Sequence, residues 1–398
     1  MKATRTTRRE FLEKSIVTGA AIAAGLRAES FGGVAQAATY TASVAITKGS
    51  DRADNAFRAL QLFKNQIAAA IGNKRVVIKV NFVWYPPALS CTNSAFVEGV
   101  LEFLKSIGKR DVVVAESSAT GSAWGGYDYN GYWYLTNKYP VKLMDLNQEG
   151  FANAQIWQYG SSSSPYYSTQ ATIRVSKMLM NPNNFIISAA PMKTHNTVLV
   201  TLATKNIAMG APVYDVGAGW NQTGAHGDKS TMHGPLGAPS GTGSGYDYQV
   251  LNDNVYRLVS VYGIRPNLAL IDGYQGMEHN GPVSGTAIAT PQQIAVASLD
   301  WLAADRVGLA LMGSNVLATL NHREDNGSAM PFPACLNYLW MAGLGEWDLS
   351  KIQVIGQPIS GNVYNYQAND YQTNGYETAG IRAYPREGTI VNPVQEEP

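Results

Sequence analysis

The sequence predicts an α/β fold: a mostly parallel sheet with helices on both faces and long loop insertions. Three observations predict it. Short runs rich in Val, Ile and Ala recur along the chain, segments of helical apolar spacing separate them, and polar residues gather where the apolar runs stop. A chain of 398 residues with 45% hydrophobic content is also long enough to bury one large core or two modest ones.

Taken in order, strands are expected at 43–46 (SVAI), 76–82 (VVIKVNF), 111–115 (DVVVA), 184–190 (NFIISAA) and 267–271 (NLALI), each a short aliphatic run. Helices are expected at 52–71, 94–107, 198–208, 251–262, 291–312 and 333–342. Of these, 291–312 is the longest and most apolar, as a buried helix would be. Two insertions break the pattern: 122–167, crowded with Tyr, Trp, Gly and Ser, and the Gly-rich 217–248. Loops of such length serve as lids or binding loops, and aromatic ones either stack on sugars and flat rings or pack on their own domain. Residues 360–398 carry few aliphatic side chains and read as an irregular tail packed on a domain spanning 38–359.

The segment from Pro191 to Gly210 concentrates chemistry. Pro191 is expected to end its strand and Val198 to begin a helix, which sets Lys193 and His195 at a strand-to-helix junction where backbone N–H groups and the helix dipole attract anions. A straight helix would place Lys205 about 15 Å from His195, so Lys193 with His195 and Lys205 with Asn206 would serve different parts of a ligand unless the segment bends or is extended. Lys205 to Gly210 also reads as a helix end, with Gly210 supplying a left-handed turn. Strand-end polar residues Lys79, Asn81, Glu116, Lys193, His195 and Asp272 share one edge of an open α/β sheet and are expected to line one crevice.

Within that crevice Lys79, Asn81, Glu116, Lys193, Lys205 and Asn206 are candidate ligand-binding residues, and His195, Asp272 and Glu278 candidate catalytic ones. A carboxylate at 272 or 278 could act as base if burial raised its pKa. His226, Asp228 and His233 are candidate ligands for a divalent metal, because neutral imidazole and carboxylate suit one, although their spacing matches no tight zinc pattern. Asp305, in an apolar helix, needs a partner such as Arg306 or a backbone N–H and is read as structural; Asp300 is open.

These pieces carry a resemblance. Lys193-Thr194-His195 followed by Lys205-Asn206 and a Gly, Lys79-Val80-Asn81, Glu116 after its strand, Asp272-Gly273, Gly276-Met277-Glu278, Gly281-Pro282, and Ser298, Asp300 and Asp305 occur in the order of the DUF362 family. The chain resembles that family from about residue 76 to 313. The resemblance implies a domain of unknown function that is often joined to iron–sulfur modules. His279 stands where the family tends to place Gly. Only Cys91 and Cys335 occur, too few for an iron–sulfur cluster within this chain, and they form one disulfide or two buried thiols.

Residues 1–37 resemble a twin-arginine export signal: Arg8-Arg9-Glu10-Phe11-Leu12, a short Ala/Gly-rich apolar run, and Ala35-Gln36-Ala37 as cleavage site. The expected location is periplasmic or extracellular, with the twin-arginine machinery as a partner and no permanent membrane span. Without those residues the chain carries 24 basic and 26 acidic side chains, so its net charge is near −2 and nucleic acid is not an expected partner. No G-x-S-x-G, Walker or H-E-x-x-H pattern occurs. The function expected is an enzyme acting on a small anionic ligand, with metal assistance as an option. The alternatives are a non-catalytic extracytoplasmic anion- or metal-binding protein, or an accessory to an iron–sulfur redox system.

Overall fold

A single sheet carries Lys79, Glu116, Lys193, His195, Asp272 and Glu278. The computed structural model describes residues 40–159, 167–195, 198–216, 227–233, 245–314, 316, 324–325, 328–329 and 334–367. Strands follow in the order β1 (Ala42–Lys48), β2 (Arg75–Lys79), β3 (Val112–Glu116), β4 (Val141–Asp145), β5 (Phe151–Tyr159), β6 (Tyr167–Ser176), β7 (Asn184–His195), β8 (Leu199–Thr201), β9 (Leu268–Glu278), β10 (Thr286–Ala287), β11 (Ile294–Ser298), β12 (Glu324–Asp325), β13 (Ser328–Ala329) and β14 (Ile352–Gly356). The main sheet runs β14-β1-β11-β9-β7-β2-β3-β4, with β8 and β10 hairpinned onto β7 and β9. Along that path only β11 runs against the others. The α/β class, with a mostly parallel sheet, is therefore what the chain adopts.

Parallel strands need cover on both faces, and their side chains alternate to supply it. Val77 and Val113 enter one core, closed by the helices Ala203–Ala208, Gly245–Ser260, Trp301–Leu311 and Ala334–Met341. Val76, Ile78, Val112 and Val114 enter the other, closed by Arg52–Gln61, Lys64–Ile71 and Ser94–Ser106. Cys91 belongs to the second core and Cys335 to the first; both are buried free thiols with the sheet between them.

Several boundaries differ from the sequence reading, each for a local reason. The expected helix 52–71 is two helices. Strand β7 does not stop at Pro191 but runs on to His195, and the missing N–H falls where the β7–β9 register slips, between Pro191 and Lys193. The segment 291–312 divides into β11 and the helix Trp301–Leu311, because a short apolar run such as IAVAS fits strand and helix alike. Asp300 makes the break: it is the N-cap of that helix, accepting from the N–H groups of Leu302 (3.1 Å) and Ala303 (3.0 Å).

Asp305 lies on the same helix and caps a different one. Its carboxylate accepts from the N–H groups of Ala203 (2.7 Å) and Thr204 (2.9 Å), so the partner is backbone and not Arg306. The start of Ala203–Ala208 is thereby occupied and is not open to a ligand anion. Burial raises the Asp305 carboxyl to about 6. Removing it in Asp305→Ala should destabilise the fold by about 2 kcal/mol in urea unfolding, since two buried donors lose their acceptor. A group whose folded pKa is raised stabilises most below its ordinary value of 3.8 and loses that contribution as pH rises through about 6. Wild-type stability should therefore decline over that window, and the variant should show a shallower decline.

Candidate functional site

Chain order puts β2, β3 and β4 on one side of a line through the sheet and β7, β9 and β11 on the other. The reversal falls between β2 and β7, and in open parallel sheets the crevice beyond the carboxyl ends at such a switch point is where ligands bind. Lys79 ends β2, and Lys193 lies in the extension of β7 past that point. Between them is a cavity of about 40 Å³, lined among others by Lys79, Asn81, Glu116, Lys193, Lys205 and Asn206. All six candidate ligand-binding residues are thus brought together.

Asn206 is the hub of the cluster. Its Oδ1 accepts from Lys79 Nζ (3.3 Å) and Asn81 Nδ2 (3.0 Å), and its Nδ2 donates to the Lys79 carbonyl (3.0 Å) and Ser188 Oγ (3.1 Å). An Asn side chain has two donors and two acceptor sites, and all four are used. Glu116 is held by three donors, accepting from Lys79 Nζ (2.6 Å), Ser117 N–H (2.7 Å) and Phe82 N–H (2.5 Å). It anchors Lys79 and is not placed to take a substrate proton. Burial pulls Lys79 below its ordinary value while Glu116 opposes the shift.

Counting donors separates the lysines that line the cavity. Lys79 spends its three on Glu116, the Val80 carbonyl (2.7 Å) and Asn206. Lys229 spends three on Ser117 Oγ (2.9 Å) and the carbonyls of Met209 (2.9 Å) and Pro212 (2.6 Å). Lys193 spends two, on Asn81 Oδ1 (2.9 Å) and the Ser90 carbonyl (2.6 Å), which leaves one. The Lys205 ammonium makes no hydrogen bond or ion pair with any described residue. Burial lowers Lys193, Lys205 and Lys229 each to about 7. Thr201 also lines the cavity, and its buried hydroxyl has no hydrogen-bond partner among the described residues.

The expected helix from Val198 is instead a hairpin. Strand β8 returns along β7 with Thr201 opposite Lys193 and Leu199 opposite His195, and only then does the helix Ala203–Ala208 begin. Leu199 has φ 68 in this turn, a left-handed conformation that costs a bulky side chain roughly 1–2 kcal/mol. The fold-back brings Lys205 into the same cavity as Lys193, removing the 15 Å separation a straight helix would impose. His195 does not line the cavity but lies within electrostatic reach of Lys205 and Lys193. Burial first, then those cations and His233, hold it well below its ordinary value, so it is neutral. Its Nδ1 accepts from Val198 N–H (3.3 Å), which puts the ring proton on Nε2.

Other candidates go elsewhere. Asp272 pairs with Arg52 (3.4 Å), and Glu278 accepts from Gln367 N–H (2.8 Å); neither lines the cavity. His279 takes φ 62, the conformation the family's Gly would take freely, and its carbonyl accepts from Thr194 Oγ1 (2.9 Å). Asp228 is held by Arg174 (2.7 Å), His226 lies outside the described residues, and among the described residues no three possible metal ligands are grouped.

Sequence reasoning missed Lys229, Ser117 and Thr201, for which no motif signal exists, and misread Gly210. Its φ is not left-handed; a Cβ there would sit 2.4 Å from Lys79 Cε and 2.4 Å from the Asn206 carbonyl oxygen. The glycine makes room for the Lys79 ammonium. Gly210→Ala should cost roughly 1–3 kcal/mol in denaturant unfolding through overpacking, whereas Gly108→Ala, at an open left-handed position, should cost about 1 kcal/mol.

A parallel α/β protein with four lysines at its switch point is the class these features define. Residues 76–310 match the family described as "Domain of unknown function (DUF362)", and the chain belongs to that family. No curated protein matched it. Among solved structures it is similar to a Thermotoga maritima protein determined by a structural genomics consortium, at 12% identity and a TM-score of 0.37, covering 65% of this chain. The chain spans 58% of that protein.

Proposed function

We propose that the chain is an exported enzyme acting on a small anionic substrate bound at the β2–β7 switch point. The observation that carries this reading is the uneven use of hydrogen-bonding groups around the cavity. Lys79 and Lys229 are fully committed to protein oxygens, whereas among the described residues Lys193 has partners for two of its three N–H bonds, the part-buried Lys205 ammonium has none, and the buried Thr201 hydroxyl has none. Buried polar groups are ordinarily satisfied, so unsatisfied donors converging on one space describe the acceptor they lack. Four lysines against one carboxylate make that acceptor anionic.

In this reading Lys193 and Lys205 hold the anion, and neutral His195, within electrostatic reach of both, is the group that carries a proton. Asp272 and Glu278, tied to Arg52 and to Gln367, take no step. A binding protein without chemistry would need the lysines but no buried neutral imidazole beside them, which favours the enzyme. Residues 1–37 supply the export signal in this proposal.

Sulfate tests the reading, because its charge is constant over the useful pH range. A lysine at about 7 is charged below that value and neutral above it. Sulfate affinity measured by calorimetry should therefore be greatest near pH 6 and fall as pH rises toward 9, by up to roughly tenfold per unit for each lysine that must be protonated, with proton uptake on binding near pH 8. Lys193→Met should weaken binding by about tenfold or more. His195→Asn should leave it within about twofold, since the ring is not an anion contact in this scheme. Affinity that ignores both pH and Lys193 would remove the proposal.

A further inference from the structure

Lys205 differs in kind from the lysines around it. The amines of Lys79, Lys193 and Lys229 point N–H bonds at carbonyl, amide, hydroxyl or carboxylate oxygens, which ties each nitrogen in place. Lys205 has no such oxygen among the described residues, lies part-buried, and lines the cavity beside Lys79 and Lys193. Desolvation and neighbouring cations are the two influences that free an amine lone pair for attack on carbon. Across the hairpin Thr201 stands opposite Lys193, and both line the same cavity as Lys205.

Resting on the anion-binding reading above, and giving Lys205 a second role in its unprotonated form, we propose that Lys205 is a nucleophile that forms an imine with a small 2-oxo acid, whose carboxylate is then held by Lys193 and Thr201. The small cavity suits the smallest members of that class, of which glyoxylate and pyruvate are examples. The neutral amine attacks the carbonyl carbon and the C=O pair moves to oxygen. One amine proton transfers to that oxygen, a second proton comes from solvent, and the C–O bond breaks with loss of water. Nitrogen keeps one hydrogen and is left as the protonated imine. No oxidant or reductant is consumed. With Lys205 at about 7, a large fraction of the amine is neutral at physiological pH, against a few parts in ten thousand for an ordinary lysine.

The test is reductive trapping on the full chain with glyoxylate or pyruvate and sodium cyanoborohydride near pH 7, followed by peptide mapping. The expected result is one adduct per chain, on Lys205, formed at least tenfold faster than on any other lysine. It should be absent in Lys205→Arg and slowed at least tenfold in Lys193→Met, with a smaller slowing for acetaldehyde, which has no carboxylate to be held, than for glyoxylate or pyruvate. Mapping the wild-type chain decides the matter even if a variant fails to fold. Adducts scattered over surface lysines with none at Lys205 would overturn the imine. If pyruvate or sulfate still binds in a Lys193-dependent way, the anion site survives that failure; if neither binds, both proposals fall.

Discussion

Everything at the switch point depends on how the protein tolerates a cation with no water around it. Lys79 and Glu116 are both buried and 2.6 Å apart. Such a pair contributes little net stability, since desolvation consumes most of the Coulombic gain, but losing one partner leaves a naked charge and costs about 3–5 kcal/mol. Its structural effect is larger than its energy. Glu116 joins β3 to the Phe82 backbone beyond β2, and Lys79 reaches through Asn206 to the helix after the hairpin. Three separate pieces of chain are thereby held in one register around the cavity.

The hairpin β7–β8 then determines which side chains share that space. A helix beginning at Val198 would have carried Lys205 away from Lys193. An antiparallel return of three residues keeps it close, and the strained Leu199 backbone is part of the cost of the turn. Asp305 fixes the helix beyond the hairpin, because its carboxylate takes the first free N–H groups of that short helix and sets the direction in which Lys205 and Asn206 leave the backbone.

Fold class and the convergence of Lys79, Asn81, Glu116 and Lys193 were legible in the sequence, because aliphatic runs identify parallel strands and parallel strands bring their ends to one edge; Lys205 and Asn206 reach that edge only through the hairpin, and His195 and Asp272, expected there, do not line the cavity. The hairpin was not legible: Val198, Leu199, Leu202 and Ala203 have helical spacing, and only pairing with β7, a long-range contact, overrides it. Strand β11 was hidden for a similar reason, as its apolar run merges with that of the next helix. Asp272 and Glu278 sit at the expected strand end, but a carboxylate's partner is set by elements distant in sequence, here Arg52 and Gln367. Lys229 follows a residue that drew attention as a metal ligand and carries no signature of its own.

The two thiols, one in each core with the sheet between them, have a bearing on where this chain can exist. Because no covalent crosslink ties distant parts together, the same native state is reachable under reducing and oxidising conditions, and its persistence is set by packing alone. Maturation can therefore finish wherever synthesis occurs, with no need of a thiol oxidase or a disulfide isomerase.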